Sequence, residues 1–206
     1  MKHWLVLACL AIIPGTVFAQ EVPRFAFSGG AGFVTPVYDA GRTFDTGWDL
    51  RFGAGVNIIP NAGVMLDLGY DSMGVNSTTL GNLGYGGGRL GVFSVSLDPI
   101  IHLTPHSKAD FYITGGPGYY HLNDYFSMNN GAIGTVGGTM VGNPFLGFFN
   151  GNVSNYSLNK LGVDAGAGVE FGSKWHGRFF AEARFTRIFT SGAYTDYIPV
   201  TFGFRR

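Results

Sequence analysis

A two-residue alternation of apolar with small or polar side chains runs through this sequence and constrains its fold more than any other feature. From Trp48 to Ile58, apolar side chains fall on one face, and the other face carries Asp49, Arg51 and glycines. Neighbouring residues of a β-strand point to opposite faces of a sheet, so the pattern predicts half-buried strands. Strong alternation recurs in 64–71, 161–171, 179–186 and 198–205, and weaker alternation in 25–33, 93–102 and 111–120. The sequence thus predicts eight strands.

The composition indicates a membrane protein without membrane-spanning helices. Charged residues make up 13% of the chain, about half of the roughly 25% that is typical of soluble domains. No segment beyond the N-terminal region offers the roughly 20 apolar residues that a helix needs to cross a bilayer. Only a closed barrel then satisfies every backbone group in lipid. The fold class predicted is all-β, an eight-stranded antiparallel up-and-down transmembrane β-barrel.

The composition of the two strand faces predicts which face is outside. The polar face consists mainly of Gly, Ser, Thr and Asp, and the strand cores contain no lysine. A water-soluble barrel would need a charged outer coat, whereas small residues and a few charges suit the cramped interior of an eight-stranded barrel. We therefore expect the apolar face to contact lipid and the small, charged face to line the interior.

The lengths of the links between strands predict the orientation of the barrel. Short links are expected after strands two, four and six, at 60–63, 104–109 and 173–177. Long links are expected after strands one, three and five, at 37–47, 72–88 and 123–160, and 190–196 is intermediate. Outer-membrane barrels have short periplasmic turns and long extracellular loops, so both termini are predicted to lie in the periplasm.

Three prolines are difficult to place because a closed barrel has no free strand edge. The run Gly115-Gly116-Pro117-Gly118 predicts a β-bulge in the fifth strand. Pro99 and Pro199 are expected near strand ends, where a missing backbone N–H disturbs the fewest ladder bonds.

The N-terminal segment has the features of an export signal. Lys2 precedes the apolar stretch Trp4–Ile13, and Val17-Phe18-Ala19 supplies the small residues of a cleavage site. Residues 1–19 are predicted to be a signal peptide and residues 20–206 the barrel domain. Cys9 is the single cysteine of the chain and lies in the signal, which excludes disulfide and thiol chemistry from the mature protein.

Charged residues on the inward face form the first candidate site. The predicted charge network of the interior consists of Asp49, Arg51, Asp67, Asp71, Asp164, Glu170, Glu182 and Arg184. Buried charges persist when they are paired and hydrogen-bonded, so one interpretation is a salt-bridged plug that closes the barrel. The other is a narrow polar pore, which would favour cations because acidic residues outnumber basic ones.

The third long link holds the second candidate site. Residues 129–155 are rich in Gly and Asn but include an apolar cluster, whose contact candidates are Phe145, Leu146, Phe148 and Phe149. Exposed apolar clusters tend to mark contact sites. Three interpretations stay open: the link folds onto the barrel mouth, it contacts lipopolysaccharide or a partner, or it guards an entrance for apolar ligands.

Three segments resemble the outer-membrane β-barrel family of small OmpA-like and OmpX-like proteins of Gram-negative bacteria: 112–121, 180–185 and 197–204. The resemblance implies an outer-membrane location in contact with lipid and lipopolysaccharide. It also implies recognition by the barrel-assembly machinery through a last strand whose apolar residues are Ile198, Val200, Phe202 and Phe204. Arg205 and Arg206 follow the last Phe, which departs from the terminal aromatic residue of the family.

The sequence predicts no catalytic, cofactor or metal site. Lipid A deacylases are similar barrels that use a His–Ser pair, but here Ser191 is accompanied by Arg187 and lacks a base to accept its proton. His102 and His106 lie four residues apart across a turn, where a metal pair is not expected. A formal net charge of zero argues against nucleic-acid binding.

Two functional hypotheses follow from these patterns. The first is a structural or surface-interaction protein whose interior is plugged by paired charges. The second is a small passive channel for ions or for apolar solutes, as in OmpW-like proteins.

Overall fold

Nine β-segments and two short helical turns build the described part of the chain. The structure is a computed structural model, and it describes residues 24–105, 107–128, 156–173, 177–190 and 193–206. The strands are β1 (Phe25–Pro36), β2 (Gly47–Ile59), β3 (Ala62–Gly74), β4 (Tyr85–His102), β5 (Ala109–Thr114), β6 (Pro117–Met128), β7 (Tyr156–Ser173), β8 (Gly177–Thr190) and β9 (Ala193–Arg205). A 3-10 turn (Ala40–Arg42) follows β1, and helix α1 (Ser77–Leu83) follows β3.

Several sequence predictions concern residues that the structure leaves undescribed. The signal peptide at 1–19, residues His106 and Ser191, and the contact candidates Phe145, Leu146, Phe148 and Phe149 all lie outside the described residues. Within the described residues, no helix has both the length and the apolar character that a membrane crossing requires.

The strands close into a ring. Apart from β5 and β6, which do not pair with each other, neighbouring strands in sequence pair antiparallel, and β1 also pairs with β9 to close the ring. Both β5 and β6 pair with β4 on one side and β7 on the other, so the two segments together occupy one position of the ring. The ring therefore has eight positions, and the predicted eight-stranded up-and-down barrel is confirmed.

The interruption between β5 and β6 is a break without an inserted residue. Thr114 pairs with Gly166 and Pro117 pairs with Val163, so two residues separate the pairs on both strands. The predicted β-bulge is wrong, because a bulge would place an extra residue on one strand. Gly115 instead adopts a φ of 149°, which L-residues rarely adopt, and regular pairing with β7 is interrupted for two residues, although the backbone N–H of Asp164 still donates to the carbonyl of Gly116 at 3.0 Å.

The two other prolines coincide with gaps in the hydrogen-bond ladders. Residues 97–99 of β4 have no partner on the side of β5 and β6, and residues 198–199 of β9 have none on the side of β8. Pro99 lies near the end of β4, as expected. The same expectation is wrong for Pro199, which lies within β9 and is accommodated by the gap beside it.

The apolar face of each strand points outward. Phe27, Phe52, Leu97 and Leu161 are 62%, 54%, 52% and 67% exposed, while the charged residues that alternate with such positions are buried. This confirms the predicted orientation of the two faces. The outer surface is therefore an apolar belt, which is a costly surface in water and a favourable one in lipid.

The strands at one end of the barrel extend further than the sequence predicts. We define the loop end as the end that carries the links 37–46, 75–84 and 129–155, and the turn end as the opposite end. Strand β4 begins at Tyr85, within the predicted link 72–88, because the run of glycines 86–88 has no side chains to reveal alternation and still pairs through its backbone. The predicted links 123–160 and 190–196 are likewise shortened by strand extension.

Apolar side chains fill the interior at the loop end. They come from the inward faces of the strands and from the first two long links, and helix α1 packs Leu80 against them. Asn76 caps α1 by accepting a hydrogen bond from the backbone N–H of Thr79 at 2.8 Å. We name this cluster the apolar layer, and its buried members are Val34, Ala40, Phe44, Met73, Val75, Leu90, Val92, Tyr120, Leu122, Phe126, Ile188 and Tyr197.

Candidate functional site

Below the apolar layer, toward the turn end, the interior is occupied by charged side chains. We name this set the ionic layer. In the described part of the chain it comprises eight carboxylates and four guanidinium groups, all of them at most 9% exposed. The structure places in it the eight predicted residues: Asp49, Arg51, Asp67, Asp71, Asp164, Glu170, Glu182 and Arg184. Its other four members, Asp98, Asp110, Arg178 and Arg205, were not among the predicted residues.

A signal for two of these four residues was present in the sequence. Asp98 alternates with the outward Leu97, and Arg205 alternates with the outward Phe204, so the two-residue period assigns both to the interior. Asp110 and Arg178 lie at the starts of β5 and β8, where the alternation is too short to fix a face.

Arg184 is the centre of the ionic layer. Its Nη2 lies 2.8 Å from Asp67 Oδ2 and its Nη1 lies 3.3 Å from Asp164 Oδ1. Its Nη1 and Nε also pair with Asp98 and Glu182, respectively. The four partners come from β3, β4, β7 and β8, so one guanidinium group joins opposite walls of the barrel. The five donors of a guanidinium suit such a multiple contact.

Two tyrosines donate further hydrogen bonds to two of these carboxylates. The hydroxyl of Tyr112 donates to Glu182 Oε2 at 2.8 Å, and that of Tyr120 donates to Asp164 Oδ2 at 3.2 Å. Gly168 is the cross-strand partner of Tyr112, and a Cβ at this position would collide with the phenol ring. Glycines in the inner wall thus provide the space that the large interior rings occupy.

Loss of the Tyr112 hydroxyl should destabilise the barrel measurably. We expect Tyr112→Phe to lower the free energy of unfolding by about 1.5–3 kcal/mol, because Glu182 loses a buried charge-assisted hydrogen bond. Urea unfolding of the protein in lipid vesicles, followed by tryptophan fluorescence, measures the change. Tyr119→Phe is the matched control because Tyr119 is 45% exposed on the outer face. Equal stabilities of the two variants would contradict a role for the Tyr112 hydroxyl.

A second group of charges lies at the turn end. Arg178 Nη1 is 2.8 Å from Asp110 Oδ2, and His102 Nδ1 is 2.9 Å from the same oxygen. Arg205 pairs with Glu170 and lies over the Tyr112 ring, with its Cζ 4.8 Å from the ring centroid. Arg205 Nη2 is also 3.7 Å from Glu182 Oε2, which connects this group with the contacts of Arg184.

The turn-end group has the residue types of a metal site but is already neutralised by cations. One ligand atom each from His102, Asp110 and Glu170 lies within 4.8 Å of the others. Arg178 Nη1, however, is 2.8 Å from the Asp110 carboxylate and 3.6 Å from the Glu170 carboxylate. A metal ion would have to displace a guanidinium group that is hydrogen-bonded in place, so the arrangement favours ion pairs.

Arg187, which in the sequence precedes Ser191 and takes the place of the histidine of the deacylase pattern, lies on the outer face at the loop end. Its Nε and Nη2 each lie 2.8 Å from an oxygen of Asp196, a bidentate pair. Its Cζ lies 4.8 Å from the centroid of the Tyr194 ring. A guanidinium group held in this way accepts no proton, so Arg187 cannot act as a base.

Comparisons with known proteins bear on the fold. No protein-family model and no curated protein sequence matches the chain. The structure is similar to neisserial surface protein A, with 13% identity over 88% of this chain and 95% of that chain and a TM-score of 0.56. It is also similar to the outer membrane protein OprG of Pseudomonas aeruginosa, with 13% identity over 88% of this chain and 95% of that chain and a TM-score of 0.51. A major outer membrane protein of Thermus thermophilus is similar as well, with 12% identity over 88% of this chain and 98% of that chain and a TM-score of 0.51. The expected resemblance is thus confirmed in the fold, which is that of small outer-membrane barrels.

Proposed function

We propose that this protein is an outer-membrane barrel with a structural or surface-interaction role and a closed interior. The filling of the interior by two successive layers carries the proposal. The apolar layer contains side chains that are at most 6% exposed, and the charges of the ionic layer are at most 9% exposed. An eight-stranded barrel is just wide enough for side chains to fill it, so we expect the described residues of the two layers to leave no continuous water path.

The outer surface supports a location in the outer membrane, reached through the predicted signal peptide at residues 1–19. Aromatic pairs flank the apolar belt at both ends. Trp48 and Tyr70 have ring centroids 5.3 Å apart toward the loop end, and Phe179 and Phe204 have centroids 5.5 Å apart at the turn end. Such girdles suit the two interfaces of a membrane.

The proposed partners follow from the same surface. The outward residues Phe202 and Phe204 of β9 support recognition of this strand by the barrel-assembly machinery. The paired aromatic rings of Phe189 and Tyr194 on the outer face at the loop end support contact with the lipopolysaccharide that surrounds an outer-membrane barrel. The apolar cluster with Phe145 and Phe149 remains a predicted contact site for a surface partner. We assign no catalysis, cofactor or nucleic acid to the chain.

A conductance measurement tests the closed interior. We expect the folded protein to give no stepwise currents in planar bilayers, because both layers lie within the barrel itself. A variant with the link 129–155 shortened should be equally silent. A general porin recorded in the same bilayers is the control for detection, and heat-modifiable migration on gels is the control for folding. Steady single-channel steps from the unaltered protein would contradict the closed interior.

A passive channel for ions or apolar solutes is the second candidate. The observation that favours it is the excess of carboxylates over guanidinium groups in the ionic layer, eight against four among the described residues. Such an excess would make any conducting path selective for cations. Cation-selective steps in the bilayer experiment would support this candidate, and uptake of an apolar solute by liposomes would support its apolar version.

A further inference from the structure

Two carboxylates of the ionic layer face each other directly across the inner wall. Asp49 on β2 and Asp71 on β3 are cross-strand partners, and both point inward, where they are 1% and 0% exposed. Like charges at directly opposed positions of a sheet destabilise it, and burial intensifies the repulsion. The pair needs a compensating positive charge nearby.

The neighbouring protein groups compensate this pair only in part. Arg51 Nη2 lies 3.8 Å from Asp49 Oδ1, beyond hydrogen-bond distance. The hydroxyl of Thr201 donates a hydrogen bond to Asp49 Oδ2. Tyr197 and Asp49 lie close to the Asp71 carboxylate, but no hydrogen bond of good geometry reaches either oxygen of Asp71 or Asp49 Oδ1. A fully buried carboxylate with no donor is among the most costly groups that an interior can hold.

A fourth oxygen without a hydrogen bond of good geometry, the hydroxyl of Tyr197, points to a ligand at the same place. The hydroxyl of Tyr197 on β9 interacts electrostatically with Asp71, and it also lacks a hydrogen bond of proper geometry. Tyr197 is 1% exposed and belongs to the apolar layer, which separates the site from the loop end. Carboxylate oxygens from β2 and β3 and a hydroxyl oxygen from β9 therefore lie close together. The neighbouring guanidinium group of Arg51 does not fully neutralise the negative charge of the two carboxylates.

We propose that the interior binds a hard divalent cation, of which Ca²⁺ is the best match, between Asp49 and Asp71 and beside Tyr197. Ca²⁺ takes oxygen ligands in flexible geometry and tolerates waters in its remaining positions. The cation neutralises the opposed carboxylates and supplies a partner to the three orphaned carboxylate oxygens. The turn-end group of His102, Asp110 and Glu170 does not compete for it, because Arg178 occupies that group. The site would act as a staple between β2 and β3 at the boundary of the two layers.

Terbium(III) luminescence tests the site, because terbium(III) substitutes for Ca²⁺ and a nearby phenol sensitises its emission. The protein is folded in nonionic detergent without lipopolysaccharide, whose phosphates would bind the ion, and the ion is present during folding. We expect saturable sensitised emission that Ca²⁺ displaces. Asp71→Asn should weaken binding by about tenfold or more, because it removes a charged ligand.

Asp164→Asn is the matched control. Asp164 is also a buried carboxylate of the ionic layer, but Arg184 and Tyr120 already bond it. We expect this variant to retain affinity within a small factor. Equal losses in the two variants would show that ions respond to the overall negative interior, and they would overturn the assigned site. Absence of saturable emission from the unaltered protein would overturn it as well.

Thermal stability provides a second readout. It is measured on the folded molecules and therefore does not depend on the folding yield of a variant. Added Ca²⁺ should raise the melting temperature of the unaltered protein and leave that of Asp71→Asn unchanged, since a ligand stabilises only the state that binds it. A melting temperature of the unaltered protein that Ca²⁺ does not change would contradict the proposal. The cation site and the closed interior are tested by different measurements, ion binding and bilayer conductance. Either proposal can therefore fail without the other.

Discussion

Replacement of Arg184 by methionine is expected to lower the free energy of unfolding by about 3–5 kcal/mol, because it leaves four buried carboxylates without their common cation. Methionine preserves much of the side-chain volume, so the loss reports charge rather than packing. Urea unfolding in lipid vesicles, monitored by tryptophan fluorescence and by heat-modifiable migration, measures it. If the barrel fails to fold with this change alone, the folded fraction at a fixed lipid ratio is the measurement.

Two further variants identify the cause of the effect. Arg42→Gln should change stability by less than about 0.5 kcal/mol, because the Arg42 side chain is 85% exposed and its pair with Asp39 is a surface contact. Adding Asp67→Asn and Glu182→Gln to the Arg184 variant should recover much of the loss, since neutral amides need no cation. An Arg184 variant as stable as Arg42→Gln would exclude Arg184 as the organiser of the interior.

An arginine on the apolar belt should produce the second largest effect. Leu97 lies in the middle part of the outer face, is 52% exposed and pairs with the equally outward Leu66. We expect Leu97→Arg to cost about 2–4 kcal/mol in a phospholipid bilayer, because its charge would lie near the hydrocarbon midplane. Reversible urea unfolding in vesicles measures the cost.

The control for the belt is a leucine outside the strand. Leu103 is 57% exposed and follows the end of β4 at the turn end. Leu103→Arg should cost no more than about 1 kcal/mol, because a charge at the interface stays hydrated. If the two arginines cost the same, the outer face of the barrel is not in contact with lipid chains, and the proposed location fails with it.

The alternation of side chains sufficed to predict the ring of strands and the direction of their faces. It works where the inward side chains are polar and the outward side chains are apolar, as in the ionic layer, so a residue such as Asp67 or Arg184 can be assigned to the interior from its neighbours alone. The inward position of the charged residues in the ionic layer could be predicted by the same rule. Asp98 obeys this rule as well, because it alternates with the outward Leu97.

The apolar layer could not be predicted from the alternation. At the loop end of β4, the inward Leu90 and Val92 are apolar and so is the outward Phe93, so the period of two disappears from the sequence. Some residues of the cluster to which this segment belongs, among them Phe44 and Val75, lie in the links between strands. No local sequence pattern predicts the course of these links. The pairing of Asp49 with Asp71 also depends on strand register, which the sequence does not specify.

The ion pairs and hydrogen bonds of the ionic layer connect distant strands, and this constrains how the chain can fold into a membrane. Arg184 on β8 joins carboxylates from β3, β4 and β7, and Thr201 on β9 bonds Asp49 on β2. A single hairpin entering the bilayer ahead of the others would press uncompensated acids against acyl tails. Insertion hairpin by hairpin is therefore disfavoured, and we expect the ends of the sheet to meet before or during entry, in one cooperative transition without a half-inserted intermediate.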